Sequence, residues 1–484
     1  MDVKEHAQKT ISGLKWSGLS QFSLQMLNLV LNIILARLLG PYEFGVLAMI
    51  AVFVGFLQLF KDFGFGAILI SSKDVDDLDF STVFWTNLGL GVFLTSMLYF
   101  SSSWISDFYN EPILESLIDV VSLMFIIQAF NFVQVIKLTK KLEYKKLAIV
   151  NVLSILISGS IGILCAFNGL GVWSLIIKDI SQALVYLILI WKFASWRPSF
   201  QFSFIRFKYF LNSGLALIGT KSLNYFARSL DNILIGKFIG APELGVYNRA
   251  YSFMTFPIYK ITGVLSSVLF PSFSIIQGNI NRIIDMFLKS VQITSFVIFM
   301  LMGLLYINAT EFVMLVLGVQ WKSLIPLLKI LALPSALQSI TLLTENIFRA
   351  QNKYQLEFKL NIVVSVILVI AIIIGLEWGI IGVAYSYLCA VILTTVIILI
   401  VTAKIVKINV FKILKNIYPS LLGFLILVII KSIFMYYNSA YEINIWFKFI
   451  SQIILGACIY TSVVFIVNRN ILYNTKSIVR KFKN

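Results

Sequence analysis

Histidine occurs once in the 484 residues, at His6, and cysteine three times, at Cys165, Cys389 and Cys458. The lone histidine lies in the N-terminal segment, which argues against a histidine relay inside a membrane, so proton coupling would have to use carboxylates. The cysteines are far apart and each falls in an apolar run. Neither a disulfide framework nor a metal cluster is expected from them. Charged residues make up only 13% of the chain, too few to coat a soluble protein of this length. No loop between the apolar runs is much longer than about 20 residues, which leaves no space for a soluble catalytic or nucleotide-binding domain. The chain is therefore not expected to be an enzyme or to carry a cofactor.

What the sequence has in place of these is apolar length: 59% hydrophobic residues, 41 of them Phe, and a mean hydropathy of +0.92. A spanning helix needs roughly 20 mainly apolar residues, and the chain holds about fourteen such runs, from about residue 17 to about residue 467. The expected fold class is an all-α polytopic membrane protein. "MDVKEHAQKTISGLKWSG" at the N-terminus lacks a small-residue cleavage pattern and reads as a retained segment, not a signal peptide. Lys and Arg gather in alternate loops, as in "KLTKKLEYKK" (Lys137 to Lys146), whereas "SSSWISDFYNEP" and "AFNGLG" carry none. Such asymmetry marks the cytoplasmic side, so both termini are expected there. The net charge of +17 is then a topological signal with an attraction to anionic lipid, and no nucleic-acid partner is needed to explain it.

The chain also repeats itself. "NIILARLLGPYEFGV" (Asn32 to Val46) and "NILIGKFIGAPELGV" (Asn232 to Val246) align without a gap at an offset of 200 residues. That offset holds six spans, an even number, so the two copies enter the membrane in the same direction. This predicts two six-helix lobes, 1–200 and 201–410, related by a parallel pseudo-two-fold repeat. Residues 411–484 would add a helix pair and a basic tail.

Charge inside these runs is rare enough to be informative. Lys221, Asn224, Arg228 and Asp231 project within roughly 80 degrees of one another on a helix. Their counterparts in the first span, Gln21, Gln25, Asn28 and Asn32, share a face within about 60 degrees. A charge in the bilayer centre costs at least about 2.5 kcal/mol, so such stripes are expected to face protein or a water-filled cavity. The alternative for Arg228 and Asp231, at i and i+3, is an internal salt bridge that pins helices together. Gln128 and Asn131, followed by Gln134, form a further polar face, as do Gln338, Glu345 and Arg349. Of the adjacent Lys178 and Asp179, at most one is expected to face a cavity. Lys61 and Asp62 read as interfacial, and Arg249 precedes Pro257, where a kink is expected. "GLALIGTK" (Gly214 to Lys221) does not meet the phosphate-loop pattern, and "DVDDLD" (Asp74 to Asp79) reads as a solvated loop, not a metal site.

The string "DNILIGKFIGAPELGVYNRAYSFMTFPIY", with "ARLLGPYEFGVLAMIAVF", "KDFGFGAILI", "LEYKKLAIVNVLS" and "GLGVWSLI", resembles the polysaccharide-transporter branch of the multidrug/oligosaccharidyl-lipid/polysaccharide exporter superfamily, which contains the Wzx-type flippases. The resemblance covers nearly the whole chain. It implies two six-helix bundles with a polar central cavity, commonly with an extra helix pair. It also implies a function, the movement of a polyprenyl-pyrophosphate-linked oligosaccharide across the bacterial inner membrane by alternating access. Membrane lipids would surround the chain, and polymerase and other glycan-assembly proteins are the potential partners. On that reading Lys221 and Arg228 attract the pyrophosphate, Gln21, Gln25, Asn28, Asn32, Asn224, Gln128, Asn131 and Arg249 line the path, and Asp231, Asp179 and Glu345 are the carboxylates available for ion coupling. One chain holds both lobes and is expected to work as a monomer. The alternative is a cation-coupled small-molecule (multidrug) exporter of the same superfamily, which would want an acidic cavity.

Overall fold

The repeated string folds the same way twice. In the computed structural model, which describes residues 3–61, 63–72, 74–208, 225, 229–437 and 444–468, α1 (Val3–Leu38) stops before Gly40 and α2 starts at Pro41 (Pro41–Gln58). Two hundred residues on, α9 (229–238) stops before Gly240 and α10 starts at Ala241 (Ala241–Ile275). The Gly40 amide donates to the Glu43 carboxylate at 2.8 Å, which ties the break to the first turn of α2. Gly240 adopts a φ of +118°, open to glycine and strained for other residues.

All regular structure among the described residues is helical. Thirteen of the helices are long and apolar enough to cross a membrane, and the span expected around Lys221 lies outside the described residues. The chain is a multi-pass membrane protein. Its residues fall into two compact units, Met1–Gly245 and Val246–Asn484.

In the first unit, α3 (Phe65–Ser71), α4 (Asp77–Phe100), α5 (Ser102–Tyr109), α6 (Ile113–Lys140), α7 (Tyr144–Phe167) and α8 (Trp173–Phe193) follow α2. The tightest packing is of α7 on α8, α4 on α6, and α1 on α7. Small residues make these approaches close. Gly91 of α4 faces Ala129 Cβ and the Phe125 carbonyl of α6, where a Cβ would sit 2.8 and 3.0 Å from them. In a bilayer such van der Waals fit, and not expulsion of water, holds helices together.

The acidic string before α4 is more than a solvated loop. Asp76 caps the helix by accepting from the Asp79 amide at 2.9 Å, and Asp79 accepts from the Asp76 amide at 3.1 Å. Arg206 pairs with both carboxylates, 2.8 Å from Asp79, and its guanidinium beside Asp76 holds that carboxyl down at about 2. Lys137 of α6 pairs with Asp77 at 2.6 Å. The sequence pattern hid this because the partners lie 60 to 130 residues away.

In the second unit, α11 (Ile280–Ile307), α13 (Leu324–Ala350), α15 (Gly379–Val406), α16 (Val410–Tyr437) and α17 (Ile445–Val467) surround a core that includes Phe287, Phe299, Ile340 and Leu343. Short α12 (Ala309–Phe312) follows α11, and α14 (Tyr354–Leu376) follows α13. Tyr460 of α17 is fully buried and donates to the Phe296 carbonyl of α11 at 2.9 Å. Glu311 of α12 lies between Lys431 Nζ of α16 at 3.5 Å and Lys448 Nζ of α17 at 3.1 Å, while Lys431 also donates to Gln452 Oε1 at 3.0 Å. These contacts fasten the last two helices to the rest of the unit.

Candidate functional site

The first unit contains a partly open cavity of about 660 Å³ among α4, α6, α7 and α8. It is built from turns of helix whose polar residues recur at i, i+3 and i+7. On α8 these are Asp179, Gln182 and Tyr186, and on α6 Gln128 and Asn131. Asn87 of α4 and Asn151 of α7 complete the amide lining, with Lys61 just beyond the end of α2.

Two of these amides are unsatisfied within the protein. Asn87 is 2% and Asn131 6% exposed, and the side-chain oxygen of each lacks a hydrogen-bond partner. A buried carbonyl without a partner costs about 1–3 kcal/mol. Asn151, by contrast, donates from its amide to the Leu147 carbonyl at 2.8 Å, which fixes its orientation on α7.

Lys178 and Asp179 divide as their adjacency requires. Asp179 lines the cavity, while the Lys178 stem packs on Gly162 of α7, where an added Cβ would lie 2.7 Å from Lys178 Cβ. Lys178 Nζ still reaches back to Asp179 Oδ1 at 2.6 Å. The carboxylate therefore enters the cavity already neutralised by its neighbour, and the lining as a whole is not acidic.

Other expected residues lie elsewhere. Gln21, Asn28 and Asn32 are exposed on α1 and Gln25 half-buried, with the Asn32 amide donating to the Asn28 carbonyl at 2.7 Å. None of the four lines this cavity. Gln134 is fully buried and outside the lining, and both of its amide atoms lack partners. Asp62, Lys221, Asn224 and Arg228 lie outside the described residues. Asp231 is half-buried at the start of α9 and accepts from the Asn232 amide at 2.8 Å. In the second unit Arg249 is half-buried on α10. Glu345 pairs with Arg349 at 2.8 Å, and Arg349 is also held by Glu357 of α14 at 2.7 Å. Gln338 donates to Tyr387 Oη at 2.5 Å.

The sequence reading missed Asn87, Asn151, Gln182 and Tyr186, and placed Lys61 at the interface only. The spacing of Asp179, Gln182 and Tyr186 carried the signal on α8. Asn87 and Asn151 stand alone in apolar runs, and only the packing of α4 and α7 brings them to the others.

Residues 34–326 match the family described as "Polysaccharide biosynthesis protein". The chain is 29% identical over 402 residues to the lipopolysaccharide biosynthesis protein WzxC of Escherichia coli (strain K12), covering 81% of this chain and 80% of that one. It is 28% identical over 356 residues to the teichuronic acid biosynthesis protein TuaB of Bacillus subtilis (strain 168), covering 72% and 73%. Among solved structures it is similar to the lipid II flippase MurJ in an inward closed conformation, with a TM-score of 0.73 at 18% identity over 95% of this chain and all of that one. A multidrug resistance MATE transporter in an inward-facing conformation gives a TM-score of 0.62 at 16% identity over 79% and 94%. At these identities the structural likeness concerns the fold.

Proposed function

The chain belongs to the polysaccharide biosynthesis protein family, and on that premise we propose that it flips polyprenyl-pyrophosphate-linked oligosaccharide repeat units across the bacterial cytoplasmic membrane by alternating access. The observation that carries this reading is the amide-lined cavity within membrane-spanning helices. A sugar cannot cross hydrocarbon unaided, because each hydroxyl stripped of partners costs several kcal/mol. Carboxamides both donate and accept, as hydroxyls do, and Asn87, Asn131 and Asn151 stand in the wall of the cavity. Gln128, Gln182 and Tyr186 extend the same chemistry along the wall.

Lys221 and Arg228 are assigned to the pyrophosphate, with Asn224, Arg249 and the α1 stripe along the path. Asp231, Asp179 and Glu345 are the carboxylates open to an ion-coupling role. Division into lobes 1–200 and 201–410 with a helix pair after them, cytoplasmic termini, action as a monomer and contact with a polymerase belong to the same proposal. The multidrug alternative is disfavoured by the cavity itself. An organic cation needs uncompensated negative charge, whereas Asp179 is paired with Lys178 and Lys61 shares the lining.

The test is the initial rate of flipping of a labelled polyprenyl-pyrophosphate oligosaccharide in proteoliposomes. Asn131→Leu is expected to slow it by roughly three- to tenfold, the worth of one hydrogen bond. Gln134→Leu, three residues on but outside the cavity, is expected to leave the rate unchanged. Equal rates in the two variants would remove the cavity from the substrate path. If Lys221→Ala and Arg228→Ala insert normally and transport at the wild-type rate, those residues do not hold the pyrophosphate.

A further inference from the structure

Residues 194–208, which follow α8, form a strap outside the cavity and its lining. Its backbone is stitched to α4. Trp85 Nε1 donates to the Ser199 carbonyl at 2.8 Å, the Ser199 amide donates to Ser81 Oγ at 3.1 Å, and the Ser203 amide to Thr82 Oγ1 at 3.2 Å. Trp196 packs against Phe80 and Phe84, Lys137 sits over both the Phe80 and Trp196 rings, and Arg206 closes the far end on Asp76 and Asp79. The strap cannot swing away without breaking this whole set.

Its outward side is apolar, with Phe200 stacked along Trp85 of α4 and Phe202 and Phe204 packed against Phe207. Phe200 is 94% exposed, Ile205 84%, Phe204 69% and Phe202 50%. Four large apolar side chains within six residues, held by hydrogen bonds in that orientation, would be costly in water. Their level in the molecule says what covers them. The spans of α4, α6 and α8 have their ends at Asp77, Lys140 and Phe193, so the strap lies where three spans leave the hydrocarbon. The charge pattern points the same way. No Asp or Glu occurs between Asp179 and Asp231, while the strap and its approach carry Lys192, Arg197, Arg206 and Lys208. Arg206 is neutralised by Asp76 and Asp79, and Lys137 by Asp77; Arg197 donates to the carbonyls of Trp191, Ala194 and Trp196, and Lys192 and Lys208 are exposed.

We propose that this strap is a membrane-interface anchor: Phe200, Phe202, Phe204 and Ile205 dip below the headgroups of the adjacent leaflet, and Lys192 and Lys208 bind anionic phospholipid headgroups above them. Aromatic residues seat at the membrane interface and lysines draw anionic lipid to it, so the two halves of the segment reinforce each other. The anchor is independent of the substrate carried. Because the strap is fixed to α4, its effect is to make the depth at which the first unit seats in the leaflet sensitive to anionic lipid content.

The experiment places a nitroxide at Gln201→Cys in the full chain, after the three native cysteines have been replaced by alanine. Accessibility to oxygen and to a water-soluble nickel relaxant is read in phosphatidylcholine bilayers with and without phosphatidylglycerol. The anchor predicts a label at interfacial depth, with the oxygen-to-nickel ratio raised at least about twofold by phosphatidylglycerol. Lys192→Gln with Lys208→Gln, both on exposed side chains, is expected to abolish that rise and leave the fold intact. A label as open to nickel as a hydrated peptide in both bilayers would overturn the proposal. So would a label shielded from both relaxants, which would mean that protein covers the strap. Immersion that ignores phosphatidylglycerol would overturn the headgroup assignment.

Discussion

Glu311→Gln is expected to destabilise the second unit by about 3 kcal/mol, the usual size of the loss when one partner of a buried ion pair is removed. The side chain of Glu311 is 3% exposed and that of Lys431 9%, so the substitution leaves a lysine ammonium in a nearly closed site without its counter-charge, facing only the neutral carbonyls of Gln452 and the introduced amide. The loss should appear as earlier heat-induced exposure of α16 and α17 to protease, with the first unit unaffected. The control is the double substitution Glu311→Leu with Lys431→Met, which removes both charges and is expected to recover most of the stability. If the double variant is worse than the single one, the pair is not the source of the effect.

The pH dependence of this cluster has a definite sign. Burial alone would raise the Glu311 carboxyl, but Lys431 and Lys448 outweigh it and hold the group below its ordinary value. A carboxyl depressed on folding contributes stability that is complete above its unfolded value of 4.5 and is lost as pH falls through the lower folded value. The α16 and α17 attachment should therefore be unchanged between neutral pH and about 5, and should loosen only in stronger acid.

Gly45→Leu is expected to prevent the first unit from assembling, with a cost at or beyond the upper end of about 1–3 kcal/mol for overpacking. Within that unit a Cβ on Gly45 would run into the Ala241 carbonyl, and a Cβ on Gly245 into that of Pro41. The obstacle in each case is backbone, which cannot rotate aside as a side chain can. Gly45→Ala should thus already be harmful. Gly89→Ala is the comparison: that glycine is exposed in α4 with nothing within 4 Å of an added Cβ, so the change should stabilise by about 0.5–1 kcal/mol. Thermal unfolding of the purified variants in one detergent separates the two. Equal midpoints would show that the close approach at Gly45 is relieved at no cost.

The fold class and the repeated local structure were readable because both are periodic: apolar runs of spanning length, and one string at a fixed offset. The site was readable only where polar residues recur along a single helix, as Gln128 and Asn131 do. Asn87 and Asn151 offer no such recurrence, and their membership is decided by how α4 and α7 pack. The ion pairs were illegible for a related reason. Arg206 with Asp76 and Lys431 with Glu311 join residues more than 100 positions apart, and charge spacing along the sequence cannot foresee them. Glu345 shows the converse, since its i+4 neighbour Arg349 was visible as a face but its clamp to Glu357 needed the turn between α13 and α14.

The reciprocity at Gly45 and Gly245 bears on how such a chain can change over generations. Two copies of an internal repeat ordinarily drift apart, since each position in one is free of its counterpart in the other. Here Gly45 must stay small because of Ala241 and Gly245 because of Pro41, so a mutation in either copy is screened by the other. At these two positions, at least, the likeness between the copies is held in place by the contact between them.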